Sequence, residues 1–272
     1  MIKKRFIPHS ILAPYIDSIW ISAKANRDIQ ANLLPGTGSE MYFLMDGAFA
    51  KENRRQDRIQ FISLRNKSIV LALPKDTFLI AVRFKFSSIR HFCNIPLSEL
   101  FDQLIPADEI WGNEISQTKT LLAKHQSIDQ WLNIIEDFLI KQLALNQKPI
   151  YIKPSEIRSI YEIPNERTIF EIARDNCLSI RQFEKQFLKQ MGIPAKKFQS
   201  LSRFQKVVKS CLVNKNSNYL PIALEFGYYD QAHFIKDFRR KTQTTPVAFL
   251  CDTNFSTHFY NTSPSGGNTF AS

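Results

Sequence analysis

Asp230-Gln231-Ala232-His233-Phe234-Ile235-Lys236-Asp237-Phe238 repeats the pattern of Ser179-Ile180-Arg181-Gln182-Phe183-Glu184-Lys185-Gln186-Phe187, which stands 51 positions earlier. Each copy opens on a helix-capping side chain, places Phe at the same two positions and keeps one Lys in register. Such a repeat implies one supersecondary unit used twice. With about 100° of turn per residue, the rings of Phe183 and Phe187 lie roughly 200° and 240° from Arg181, and Lys185 returns to about 40°. The Phe pair therefore faces a core, while Arg181, Glu184 and Lys185 face away from it. In the second copy Phe234 and Phe238 are the inward pair, and Ala232, Ile235, Lys236 and Arg239 form the outward face.

Each of these helices follows a shorter one. Thr168-Ile169-Phe170-Glu171 is a capping box, and so is Ser179 with Gln182; between them the chain turns at Asn176-Cys177. In the second copy Pro221 suits a first helical turn, Gly227 suits the left-handed residue that ends it, and Asp230 is a good N-cap. The second turn is one residue longer than the first. From Ala195 to about Asn214, Phe198, Leu201, Phe204, Val208, Cys211 and Leu212 form the apolar stripe of one helix joining the two units.

Ile222-Ala223-Leu224-Glu225-Phe226-Gly227-Tyr228-Tyr229 running into the second copy, then Thr245-Pro246 and Phe249, resembles the signature of AraC-type (arabinose-regulator-like) transcription factors. The first copy resembles the family's other helix-turn-helix, with Gly192 present, Pro194 one place early and Cys177 where Gly is usual. Gln243 stands where the family signature has Gly before Thr-Pro. The resemblance implies that Arg181, Glu184 and Lys185 from one recognition helix, and Gln231, Ala232, Ile235 and Lys236 from the other, reach base edges. Arg or Lys can read guanine, Gln adenine, and Glu can accept from cytosine. Lys196, Lys197, Arg203, Arg239 and Arg240 are phosphate candidates; for Arg203 a helix-packing role is an equal alternative. His233 reads as a packed or capping histidine. Double-stranded promoter DNA is the implied partner, entered at two successive major grooves by one protomer, and RNA polymerase, a small-molecule effector and a second copy of the chain are further partners that the family admits.

Charge agrees with this. Residues 151–250 carry 17 Lys and Arg against 9 Asp and Glu, while residues 1–150 carry 19 against 15. From Arg181 to Lys215 there are nine basic residues and one acidic, so a phosphate backbone would gain from counterion release there.

The rest of the 272 residues is read as an α+β chain in which a β-rich domain, a small barrel or sandwich, precedes an all-α domain with two helix-turn-helix units. Tyr15 to Ile21, Met41 to Met45, Ser68 to Leu73 and Phe78 to Phe86 are β-prone runs separated by turn formers such as Pro35-Gly36-Thr37-Gly38. Pro14-Tyr15-Ile16, Trp20, Leu34-Pro35-Gly36, Glu40-Met41-Tyr42-Phe43 and Val82-Arg83-Phe84 resemble, more loosely, the N-terminal domain of one branch of the same family, which implies a cupin-like barrel serving as a sensor or assembly domain. Arg83 is expected either inside the barrel facing an anion or outside in solvent, and Glu40 is similarly open. Ser127 to about Leu145 is a capped amphipathic helix, with packing on its own β domain set against a partner protomer's helix. The domains are placed at 1–145, a linker at 146–154, the DNA-binding domain at 155–250 and a disordered tail at 251–272.

His9, His91 and His125 are scattered without an H-x-H pattern, so no metal and no cofactor is expected. Cys93, Cys177, Cys211 and Cys251 show no paired spacing and read as reduced thiols of a cytoplasmic protein. No apolar run approaches the length of a membrane span. No catalytic constellation is visible, so the chain is read as a non-enzyme. Two alternatives stay open: an enzyme with a DNA-docking module, and a regulator whose N-terminal domain only dimerises.

Overall fold

The computed structural model describes residues 2–22, 24–45, 58–162, 164, 166–214 and 219–251. The disordered tail is expected at 251–272; Cys251, its first residue, is helical, and 252–272 lie outside the described residues. Among the described residues the β-rich part holds eight strands: β1 (Ile2–Phe6), β2 (Ile16–Ser22), β3 (Ile29–Leu33), β4 (Ser39–Met45), β5 (Ile59–Ile62), β6 (Ile69–Leu73), β7 (Phe78–Phe84) and β8 (Leu104–Pro106). The runs read from sequence are β2, β4, β6 and β7. Six strands form an antiparallel sheet in the order β1-β2-β7-β4-β5-β8, and β3 pairs only with β6. The expected barrel is therefore not closed among the described residues: two sheets face each other with separate edges.

Alternation of side chains along a strand gives the large sheet two covered faces. Met41, Phe43 and Met45 of β4, with Ile80 and Val82 of β7, pack under α1 (Ala107–Trp111), α2 (Asn113–Lys124) and α3 (Ile128–Leu145). Tyr42 and Leu44, with Leu79 and Ala81, pack against Leu33, Leu71 and Leu73 of the small sheet. All of β4 is consequently buried. Helix α3 begins where expected: the Ser127 hydroxyl accepts from the Gln130 amide at 3.3 Å, although the Gln130 side chain returns to that hydroxyl rather than to the backbone. Its Trp131, Leu132, Ile135, Phe138 and Leu139 belong to the core of its own β domain, the first of the two packings considered.

Seven helices follow among the described residues: α4 (Pro154–Glu162), α5 (Ile169–Asp175), α6 (Ile180–Met191), α7 (Ala195–Asn214), α8 (Tyr219–Glu225), α9 (Gln231–Thr242) and α10 (Pro246–Cys251). They enclose two cores. One gathers Phe183, Phe187, Phe198 and Leu201; the other gathers Phe204, Val208, Phe234, Phe238 and Phe249. Helix α7 serves both cores, its first half in one and its second half in the other.

The β domain reaches into each. Leu64 sits in the first helical core and Leu34 in the second. Between them, the Thr37 amide and hydroxyl both donate to Gln205 Oε1 on α7, at 3.3 and 3.0 Å. The Ser68 amide donates to the Lys241 carbonyl at 2.9 Å. No described helix is long and apolar enough to cross a membrane.

Candidate nucleic-acid interface

The two units are built alike at the level of single backbone bonds. In the first, α5 ends with Cys177 in the left-handed region (φ 55°), and the Leu178 amide returns to the Ala173 carbonyl at 3.0 Å. In the second, α8 ends with Gly227 (φ 83°), and the Tyr228 amide returns to the Ala223 carbonyl at 3.0 Å. Ser179 then caps α6, accepting from the Gln182 amide in a full capping box, and Asp230 caps α9, accepting from the His233 amide at 2.7 Å. The extra residue of the second turn is Tyr229, which stands 87% exposed beside the start of α9.

The inward Phe pairs are where periodicity puts them: Phe183 and Phe187 are fully buried, and Phe234 and Phe238 nearly so. Arg181 and Lys185 are exposed on α6, and Gln231, Ala232 and Lys236 are exposed on α9. Gln231 also donates to the Tyr219 hydroxyl at 3.3 Å, which steadies its amide at the helix start. Ile235 is half-buried against the second core, so only part of its side chain faces outward.

Glu184 departs from the expected role of base acceptor. It is half-buried, and its Oε2 accepts from the Ala195 amide at 3.1 Å, capping the start of α7. The carboxylate is thereby engaged by α7, the helix between α6 and α9.

The phosphate candidates divide as well. Lys196 and Arg239 are exposed, whereas Lys197 lays its ammonium 4.0 Å above the ring of Phe101 in the β domain. Arg203 packs onto the second turn: it donates to the Gly227 carbonyl at 3.0 Å and lies 5.6 Å from the ring of Tyr228. That is the helix-packing alternative. Arg240 pairs with Asp237 at 2.6 Å while two thirds of its side chain stays in solvent. His233 accepts from the Tyr229 amide at 3.4 Å and stacks edge-on against Tyr228 at 5.2 Å, as a packed, capping histidine does.

Sequence reading missed the buried network behind α9. Asp237 accepts from Lys241 at 2.6 Å and from the Tyr228 hydroxyl at 2.7 Å, and Lys241 is 1% exposed. Burial alone would raise the Asp237 pKa, yet the charge and hydrogen bond of Lys241, with help from Tyr228 and Arg240, hold it below the usual carboxylate value. Burial lowers Lys241 despite Asp237, and burial and the Asp237 charge push Tyr228 far upward. The i, i+4 spacing of Asp237 and Lys241 was the available signal; nothing local marked the pair as buried.

In the β domain, Glu40 is fully buried and accepts from the Tyr42 hydroxyl. Burial, then the Glu40 charge, hold Tyr42 well above the ordinary phenol value, with Arg65 and Arg83 acting in the opposite direction. Arg83 follows Leu79 and Ala81 on the face between the sheets and lies 4.0 Å from Asp17. Among the described residues no group of three or more His, Cys, Asp or Glu could hold a metal ion.

Residues 172–251 match a family model described as a helix-turn-helix domain, and residues 4–106 match one described as a domain of unknown function (DUF6597). No curated protein matches the chain. Among solved structures, ToxT from Vibrio cholerae is similar at 12% identity and a TM-score of 0.46, covering 85% of this chain and 96% of its own. ToxT of Vibrio cholerae O395 bound to (E)-4-(8-methylnaphthalen-1-yl)but-3-enoic acid gives 12% and 0.45 over the same shares. A further structure of ToxT from that strain gives 15% and 0.42 over 85% and 95%.

Proposed function

We propose that this chain, whose residues 172–251 are an AraC-type helix-turn-helix domain, is a sequence-specific transcription regulator that places α6 and α9 in successive major grooves of promoter DNA. The carrying observation is the pair of equivalent turns, each delivering a capped helix of 12 residues with a buried Phe pair and an exposed outer face. Arg181 and Lys185 read one segment; Gln231, Ala232, the outward edge of Ile235 and Lys236 read the other. Lys196, Arg239 and Arg240 meet phosphates. The two outer faces differ in chemistry, so the site bound by one protomer is asymmetric, and its two segments lie about 34 Å apart, one turn of DNA.

The β-rich domain acts on this module because it touches both units, through Leu64, Leu34 and the Thr37–Gln205 hydrogen bonds. A small molecule held by that domain therefore has a path to both reading helices. Contacts to RNA polymerase and pairing of two copies belong to the same reading.

Selection of binding sites from random DNA tests it. The wild type should select two unlike segments one turn apart. Arg181→Ala and Lys236→Ala should each lose about 1–3 kcal/mol and relax preference in one segment only. Equal affinity of all three proteins for every sequence would end the proposal of readout through these helices.

A further inference from the structure

Six residues, Ile180 to Lys185, make the first half of α6, and three of them are engaged by the protein itself. Phe183 fills the first helical core, the Gln182 side chain accepts from the Ser179 amide at 2.9 Å, and Glu184 accepts from the Ala195 amide at 3.1 Å. Ile180, Arg181 and Lys185 are left exposed. Two of these are cations suited to guanine. The third is aliphatic, stands 50% exposed at the first position of the helix, and belongs to neither helical core.

The repeat bears independently on that first position. Ile180 follows the cap Ser179 as Gln231, 51 positions later, follows the cap Asp230. Both turns close through the same backbone bond, Leu178 to Ala173 and Tyr228 to Ala223, each at 3.0 Å. Both caps accept from the third amide of their helix, at 3.3 Å for Ser179 and 2.7 Å for Asp230. The first side chain therefore leaves each unit in an equivalent direction, and Gln231 is exposed as Ile180 is. Where α9 presents an amide, α6 presents a branched hydrocarbon. Helix propensity does not call for it, since a β-branched residue is a slightly poorer helix former than Gln.

We propose that Ile180 is a specificity residue for thymine, its side chain lying against the C5-methyl group of a thymine in the DNA segment entered by α6. This rests on the DNA-binding reading above. That methyl group is the apolar feature by which a base pair is told apart in the major groove; the other identifying groups there are hydrogen-bond donors and acceptors. A donor or acceptor pressed against Ile180 would lose water without gaining a partner, so the wrong base is penalised as well as the right one favoured. The N-terminal residues of a recognition helix are the ones that reach base edges, and Ile180 is the first of them in α6. It is continuous with the cations beside it. A rise of about 1.5 Å per residue against about 3.4 Å per base pair puts the thymine within about two base pairs of the one that Arg181 reads. The α6 segment thus combines thymine with guanine, whereas Gln231 at the same place in α9 favours adenine.

The test uses the full chain and the duplex that it enriches from random DNA. The segment whose preference relaxes in Arg181→Ala is the α6 segment, and an enriched thymine is expected there. Replacing that thymine by deoxyuridine removes only the methyl group. It should weaken wild-type binding about fourfold, which corresponds to about 0.8 kcal/mol, the burial of one CH₂-sized group. Ile180→Ala should bind the thymine and deoxyuridine duplexes alike, and Ile180→Gln, which copies α9, should select adenine in place of thymine. Val70→Ala trims a similarly exposed aliphatic side chain on β6 and should keep the wild-type difference. An α6 segment without an enriched thymine, a wild type indifferent to the missing methyl, a difference that survives in Ile180→Ala, or one that vanishes in Val70→Ala would overturn the proposal while leaving readout by Arg181 and Lys185 in place. Equal affinity for every sequence would remove the DNA-binding reading itself, and this inference with it.

Discussion

Gly192→Ala should break the contact between α6 and the β domain. Gly192 ends α6 at φ 77°, where its amide returns to the Leu188 carbonyl at 2.8 Å. A β-carbon there would lie 2.6 Å from the Leu97 carbonyl carbon and 2.7 Å from its oxygen, where ordinary contact begins at 3.4 Å. Leu97 has little room to retreat: it is 4% exposed, and its carbonyl accepts from the Leu100 amide at 3.2 Å. The left-handed backbone costs Ala about 1–2 kcal/mol, and overpacking a filled site about 1–3 kcal/mol, so a loss of about 2–5 kcal/mol follows. The cheapest relief is to lift α6 off the β domain. All three tryptophans, Trp20, Trp111 and Trp131, lie in the β domain. Urea titrations read by fluorescence report that domain, and far-ultraviolet dichroism is weighted to the helices, so the two midpoints should move apart in the variant. Gly192→Asn separates the two costs, since Asn tolerates the left-handed region but keeps the clash; it should stay within about 1 kcal/mol of the Ala variant. Recovery of wild-type stability by Asn would refute the steric reasoning.

Cys177 (φ 55°) and Gln243 (φ 59°) occupy left-handed positions without being glycine, so Cys177→Gly and Gln243→Gly should each stabilise the helical domain by up to about 1 kcal/mol, read as a higher urea midpoint with selected DNA sites unchanged. Asp237 has a depressed pKa in the folded chain, so its contribution is complete above the unfolded carboxylate value and is lost as pH falls through the lower folded one. Lys241 stays charged in both states across that window, so Asp237 governs it. Lys241→Met should cost about 3–5 kcal/mol at neutral pH and flatten the loss of stability below about pH 4; an unchanged acid limb would exclude Asp237 as its source. Gln205→Ala leaves the buried Thr37 amide and hydroxyl without their acceptor, which should loosen the docking by about 1–3 kcal/mol, measured as faster proteolysis of the linker at 146–154.

The sequence made the doubled unit legible because its determinants are local. Caps at Thr168, Ser179 and Asp230 and the i, i+4 Phe pairs need only a few neighbouring residues to declare themselves, and each is where it was read. The resemblance implies a base contact for Glu184, Lys197 is a phosphate candidate, and Arg203 is left between phosphate and helix packing; whether an outward side chain is free depends on what another element brings. The Ala195 amide, the Phe101 ring and the Gly227 carbonyl did so from 11, 96 and 24 positions away. The same limit applies to the barrel. Strand runs are visible in a period of two, but closure depends on which edges pair, and no pattern in β3 or β6 says that they pair with each other alone.

The docking has a directional consequence. The side chains proposed to read bases crowd the first half of α6 and of α9, from Arg181 to Lys185 and from Gln231 to Lys236. The β domain grips the other ends, at Gly192 just past α6 and at the Lys241 carbonyl near the end of α9. Each helix has 12 residues and so is about 18 Å long. A tilt of about 10° imposed at the gripped end would move the reading end by about 3 Å, enough to break a hydrogen bond to a base. The two grips differ in kind: Gly192 meets Leu97 by packing alone, whereas Lys241 is held to Ser68 by a backbone hydrogen bond and to Asp237 by charge. A change in the β domain would therefore shift α6 more readily than α9, and regulated binding should alter the DNA segment read by Arg181 and Lys185 first.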